Sequence, residues 1–388
     1  MHRRNFLRNV SLSVLSLGLN PNVIFADNSL NQKTLILIEL KGGNDGLNTV
    51  VPIDNKYYSA ARPNIALNAE NTFDIGENLA LNRALESLQP SWENGDLAII
   101  QGLGYPNPNR SHFRSMDIWD TGSNSDEYLT EGWIQRVYGE DTSAFSFQKI
   151  QGLALGNEDL GPLFGQNMNC LVINRLKQFF KQASRVRKID QNSRGNSSLH
   201  HLLSIQSELV EAAHEMKAKL QNGPKLKTKF PKTKLAQNMK TALELLAAGF
   251  RPAVIKITHG GFDTHSNQNN QHARLLRQLA EAMTSTSSGL SEIGLSNKVI
   301  QLTYSEFGRR VHENNSRGTD HGTANVHFAL GKMIQGGLHG AYPDLNELDR
   351  GDLMYTTDFR GLYKTIIKDW WQSSSKIYDK FESLRLIS

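Results

Sequence analysis

A chain of 388 residues, 38% hydrophobic and 21% charged, can bury a large core, and its formal charge is only +5. It contains no apolar run long enough for a membrane span, and with Cys170 as the one cysteine no internal disulfide can form. The charge is uneven: residues 175–240 hold 15 Lys/Arg against 4 Asp/Glu. A solvated helical face is the first explanation of such a stretch, and anionic polymer or lipid head groups the second. No nucleic-acid motif accompanies it, so nucleic acid is not an expected partner.

The first 26 residues predict a twin-arginine signal. Arg3-Arg4-Asn5-Phe6-Leu7-Arg8 precedes a moderately apolar stretch from Val10 to Leu19, and Ala26 offers a small residue for cleavage. The competing reading is a basic amphipathic helix. The expected partner is the twin-arginine export machinery, and the expected location is the periplasm or the exterior. Residues 27–388 then form one domain, with a basic helical insertion at about 175–245.

Thr34 to Leu40 is an apolar, β-branched run and predicts the first central strand. Gly42-Gly43-Asn44-Asp45-Gly46 follows at once, placing Asn44 and Asp45 at its carboxyl end. A helix is predicted over Asn82 to Glu93. Leu97 to Gly102 predicts a second strand, leading to a loop with Asn109, Arg110, Ser111 and His112. Ser111 is the expected cap of a helix that passes Met116 and Trp119 and stops at Thr121-Gly122. Gly152 to Val172 has no clear pattern, and Leu176 to Gly249 is mainly helical.

Ala253 to Ile257 predicts a third strand, followed by Thr258-His259-Gly260-Gly261-Phe262-Asp263-Thr264-His265. Past the glycines an extended turn puts Asp263 and His265 on one side, where a carboxylate and an imidazole can share a divalent metal. The plain alternative is a helix cap with ordinary loop histidines. Leu275, Leu276, Leu279 and Met283 recur at helical spacing. Lys298 to Tyr304 predicts a fourth strand ending in Ser305-Glu306-Phe307-Gly308-Arg309, and Asp320-His321 lies in the loop beyond. Val326 to Ile334 predicts a fifth strand, and a last helix opens near Thr357-Asp358. The alternation implies an α/β fold with a largely parallel sheet and helices on both faces. Polar clusters at the carboxyl ends of four strands predict one site at that edge.

The motifs GGNDGLN, NRSHF with a later TG, HGGFDTH, SEFGR and TDHG, in that order, resemble a secreted bacterial family of unknown function numbered 1501. The resemblance spans about Leu35 to the C-terminus. That family in turn resembles, remotely, the alkaline phosphatase and sulfatase superfamily, which implies a three-layer α/β/α sandwich. The superfamily likeness implies Asp45 as a metal-binding acid, Ser111 as nucleophile, and Asp263 with His265 and His321 as ligands. Ser305-Glu306 stands where the superfamily has Asp-His, which leaves the second metal open. Alternatively Asp320-His321 is that pair, with His327 or His339 as the last histidine. Cys170 is far from Ser111, against formylglycine chemistry.

The expected function is an exported, metal-dependent hydrolase of phosphate or sulfate esters. Asp45, Asp263, His265, Glu306, Asp320 and His321 are the candidate ligands for one or two divalent ions, whether zinc, manganese, magnesium or calcium. His112 is the candidate base for Ser111, and Asn44, Arg110, His259 and Arg309 are candidate contacts for an anionic small molecule or glycan. The alternative is a non-catalytic secreted binding protein on the same fold.

Overall fold

The structure, a computed structural model, describes residues 32–145, 150–156, 159–186 and 197–388. The signal segment lies outside the described residues. The central sheet is built from β1 (Thr34–Lys41), β2 (Leu97–Gly104), β3 (Gly152–Leu155), β4 (Cys170–Ile173), β5 (Val254–Gly260), β6 (Val299–Tyr304), β7 (Asn325–Leu330), β8 (Gly337–His339) and β9 (Thr357–Asp358). Its order is β8-β2-β7-β6-β1-β5-β3-β4, with β9 also beside β2. Pairings are parallel except those of β7, which runs antiparallel to β2 and β6.

β1 sits at the centre because both its faces are apolar. Ile36, Ile38 and Leu40 enter one core, and Leu35 and Leu37 enter the other. Continuous apolar strands of this kind need cover on both sides. The first core is closed by α6 (Lys234–Ala247) and α7 (Gln268–Glu292), which contribute Leu243, Leu246, Leu276 and Leu279. The second is closed by α2 (His112–Thr121), α3 (Trp133–Glu140) and α8 (Phe359–Thr365), through Trp119, Trp133 and Phe359. The result is a mixed α/β fold with a largely parallel central sheet and helices on both faces. α2 ends where Gly122 takes the left-handed conformation at φ 66°, the predicted stop. The remaining helices used below are α1 (Lys56–Ala61), α4 (Leu176–Ala183) and α5 (Ser197–Asn222).

Two elements differ from the sequence expectation. Gly152 to Val172, read as unpatterned, holds the short parallel strands β3 and β4. The fifth predicted strand is antiparallel: no helix crosses between β6 and β7, so the chain re-enters from the edge where β6 ends and must run back. The end of the basic stretch packs against the sheet, since Leu235, Met239 and Ala242 of α6 are core residues. The register pairs Lys41 with Gly260 and Glu39 with Tyr304, so the loops after β1, β5 and β6 leave the sheet at one edge. The loop carrying Asp320 and His321 enters β7 there too.

Candidate metal centre

Gly42 marks how tightly these loops are joined. Its φ is +116°, and a Cβ there would lie 2.3 Å from the Asp263 backbone nitrogen. Gly318 is as constrained, with a Cβ 2.3 Å from the His265 carbonyl carbon. Only glycine allows either approach. Arg309 then ties the loops together. Its guanidinium is buried and donates to the carbonyls of Gly43 (2.8 Å), Thr319 (2.8 Å), Phe262 (3.0 Å) and Gly42, and to Asp263 Oδ1 (2.7 Å).

Asp263, half exposed at the end of this scaffold, is met by three imidazoles. Its Oδ1 lies 3.0 Å from His265 Nε2 and 3.1 Å from His321 Nε2, and the two Nε2 atoms are 2.9 Å apart. His112 Nε2 lies 3.5 Å from Oδ2. Each ring is held by its other nitrogen: His265 Nδ1 on Asp320 Oδ1 (3.1 Å), His321 Nδ1 on the Arg110 carbonyl (2.9 Å), and His112 Nδ1 on Glu306 Oε1 (2.8 Å). All three partners only accept hydrogen bonds. In a neutral imidazole they therefore fix the proton on Nδ1 and leave a bare lone pair on Nε2. Three such lone pairs converge on a carboxylate that is also an acceptor, a donor set that suits a cation.

The electrostatics point the same way. Burial works to raise the Asp263 carboxyl, but Arg309 and His321 outweigh it and bring it down to about 2, so it stays ionised. Partial burial lowers the His321 imidazolium, against the pull of the Arg110 carbonyl and Asp263, favouring the neutral ring. Phe307 lies beneath, stacked on His321 at 4.5 Å and tilted against His112 at 5.0 Å.

Cation ligands bound at about 2.0–2.2 Å sit roughly 3–3.5 Å from one another. Four separations match that spacing, from 2.9 Å between the Nε2 atoms of His265 and His321 to 3.5 Å between His112 Nε2 and Asp263 Oδ2, and the ligand atoms of His112, Asp263 and His321 all lie within 4.8 Å of one another. His112, Asp263 and His321 form one mutually close group, and His265 joins through Asp263 and His321. Among the described residues no second group of this kind occurs.

The other expected ligands do not join it. Asp45 is buried in the grip of Arg62, with Nη1–Oδ2 at 2.7 Å and Nη2–Oδ1 at 3.0 Å, and also accepts from Gln268. Burial would raise its carboxyl, but Arg62 holds it below the usual range. Both oxygens being engaged, its assignment as a ligand is revised to a structural ion pair. Glu306 and Asp320 are acceptors for His112 and His265, not members of the ligand group. Glu306 Oε1 also takes the Gly42 N–H at 2.9 Å, and its Oε2 is buried without a partner.

The substrate contacts are rearranged as well. Arg309 is committed to carbonyls and Asp263. Arg110 pairs with Asp352 and serves the cluster through its backbone. Asn44 is buried between Thr49 and His272. His259 faces α7, bonded to the Leu275 carbonyl at 3.0 Å. His327 is buried in the sheet and His339 bonds the Gln335 carbonyl, so neither replaces His321. Ser111, exposed, caps α2 by position without a side-chain cap bond, and stands next to His112 at the rim. Phe307 and the Arg110 carbonyl were not singled out in advance. SEFGR contains the first, but a backbone acceptor leaves no trace in residue type.

A family model, a protein of unknown function designated DUF1501, matches residues 98–369. The chain belongs to this family. No functionally curated protein is detectably similar to this DUF1501 member. Solved structures with a similar course include Ps i-CgsB, at 8% identity and TM-score 0.41 over 91% of this chain and 75% of that one. Another is the C-terminal periplasmic domain of EcEptC from Escherichia coli, at 10% identity and 0.38 over 94% and 88%. A third is TAB5 alkaline phosphatase, at 8% identity and 0.34 over 78% and 92%. At this depth such likenesses say nothing about chemistry, which has to come from the residues themselves.

Proposed function

We propose that this protein is a metal-dependent hydrolase of phosphate or sulfate esters, with one divalent cation held by His112, Asp263, His265 and His321. The observation that carries the reading is the convergence of three Nε2 lone pairs on Asp263, each ring locked through Nδ1 by an acceptor. Three imidazoles with one carboxylate suit zinc or manganese, and disfavour calcium and magnesium, which prefer oxygen ligands. Such a cation supplies Lewis-acid charge at an ester oxygen.

The chain's own residues supply the rest. Asp320, Glu306 and the Arg110 carbonyl hold protons on Nδ1 and so keep the three lone pairs aimed at one point. Arg309 fixes the Asp263 carboxylate in its ionised form. Ser111 is the candidate nucleophile, and the uncapped first-turn N–H groups of α2 can donate to a non-bridging oxygen of the ester. His112 belongs to the ligand set in this reading, not to the base role expected from sequence. The Arg3-Arg4 segment supports export of a folded, metal-loaded chain, and no helix among the described residues is long and apolar enough to cross a membrane.

The test is metal analysis of the purified protein with hydrolysis of 4-nitrophenyl phosphate and 4-nitrophenyl sulfate, before and after Ser111→Ala. Bound zinc or manganese with Ser111-dependent turnover of either ester is expected. A protein that takes up neither metal refutes the site. A metal-loaded protein inert toward both esters refutes the hydrolase and leaves a binding protein.

A further inference from the structure

The basic stretch has no part in the metal centre, yet its two ends meet at a cavity. About 460 Å³ of open volume lies beyond the carboxyl ends of β3 and β4, framed by the first turns of α4 and α6. Arg175 and Lys234 stand on its wall, and among the described residues no carboxylate pairs with either. Gln237, Asn238 and Thr241 supply amides and a hydroxyl, and Leu155, Ile173 and Leu176 an apolar side. Asn238 Nδ2 is buried without a hydrogen-bond partner. Its place depends on Gly156, where a Cβ would lie 1.9 Å from Nδ2.

We infer that this cavity is a binding subsite for an anionic sugar residue. Two cations match sulfate, phosphate or carboxylate oxygens, amides match hydroxyls, and the aliphatic wall matches a ring face. The volume suits roughly one to two sugar units.

Its position gives it a purpose. β4 is two strands from β5 in the sheet. At ~4.8 Å per strand the cavity is displaced about 10 Å sideways from β5, and because Leu155 is in register with Ile257 the turn that carries Asp263 stands further out along the strand direction. A single polyanionic glycan can lie across both. This deepens the hydrolase reading, on which it rests for the claim that the bound chain is a substrate: the ester belongs to a polymer, and the cavity holds a neighbouring anionic unit.

The experiment is isothermal titration of the full protein with a chondroitin sulfate hexasaccharide, with maltohexaose as the uncharged control. Four proteins are compared: parent, Arg175→Ala/Lys234→Ala, Asn238→Leu, and the charge-matched Lys229→Ala/Lys232→Ala. The first two variants should weaken hexasaccharide binding at least tenfold while metal content is unchanged, and the third should remain within about threefold of the parent. Equal losses in the two double variants would show diffuse attraction and overturn the subsite, as would unchanged binding in the cavity variants. Tight maltohexaose binding would overturn its anionic character. Failure of the hydrolase reading appears separately, in metal content and in turnover of 4-nitrophenyl esters too small to reach the cavity.

Discussion

Asp45→Asn should damage the fold and spare the cation. Arg62, at the C-terminal end of α1, is fully buried, and the substitution removes the one carboxylate that pairs with it among the described residues. The guanidinium would keep the Val311 carbonyl (2.8 Å), the Arg310 carbonyl (2.9 Å) and Asn48 Oδ1 (2.7 Å), but no counter-charge. Breaking a buried pair from one side costs about 3–5 kcal/mol. With an unfolding entropy of ~2.1 cal/mol/K per residue, a chain of this size loses roughly 0.8 kcal/mol of stability per degree, so Tm should fall by about 4–6 °C. Differential scanning calorimetry in metal-free buffer measures the fall, and zinc titration at 25 °C measures the affinity, expected within about threefold of the parent. Replacing both partners, D45L with R62M, should recover most of the loss. An unchanged Tm with lost zinc binding would refute the reasoning and return Asp45 to the ligand set.

Three further outcomes follow from the same geometry. Asp320→Ala removes the acceptor that fixes His265 Nδ1–H and should weaken zinc binding roughly 10–100-fold, with Tm of the metal-free protein shifted by no more than about 2 °C; unchanged affinity would contradict the role of Asp320. Arg309→Lys cannot reach the carbonyls of Gly42, Gly43, Phe262 and Thr319 together, so Asp263→Asn should lower the Tm of the metal-free protein less than Arg309→Lys does. Burial lowers His327 to about 3, and His272 is lowered by burial and neighbouring arginines to about 4. Because these values lie below the ordinary ~6.5, the unfolded chain binds more protons on acidification. Stability is whole above about pH 6.5 and falls as pH drops toward 4, by up to ~1.4 kcal/mol per pH unit for each ring. His327→Phe should shrink the difference in Tm between pH 7.5 and pH 5, and an equal difference in the variant would contradict it.

Much of this architecture was legible because apolar strands and helical periodicity are local signals. Leu35 to Leu40, Val254 to Ile257 and Val299 to Leu302 announced three central strands, and the polar residues just beyond them had to share an edge once those strands ran parallel. Asp263, His265 and His321 could be named on that ground. β3 and β4 escaped because four residues are too few to show a pattern. The assignments that moved were of charged residues whose partners lie far off in sequence. Asp45 and Arg62, or Arg309 and the Gly42 carbonyl, are matched only by the folded chain. Residue type could say that Glu306 and Asp320 belong at the site. It could not say that they would hold imidazoles instead of an ion.

The most direct measurement is anomalous diffraction at the zinc edge from crystals grown with zinc. The account predicts a single strong peak about 2.0–2.2 Å from the Nε2 atoms of His112, His265 and His321 and from an oxygen of Asp263. A peak elsewhere, or well-ordered crystals with zinc present and no peak at this cluster, would contradict it.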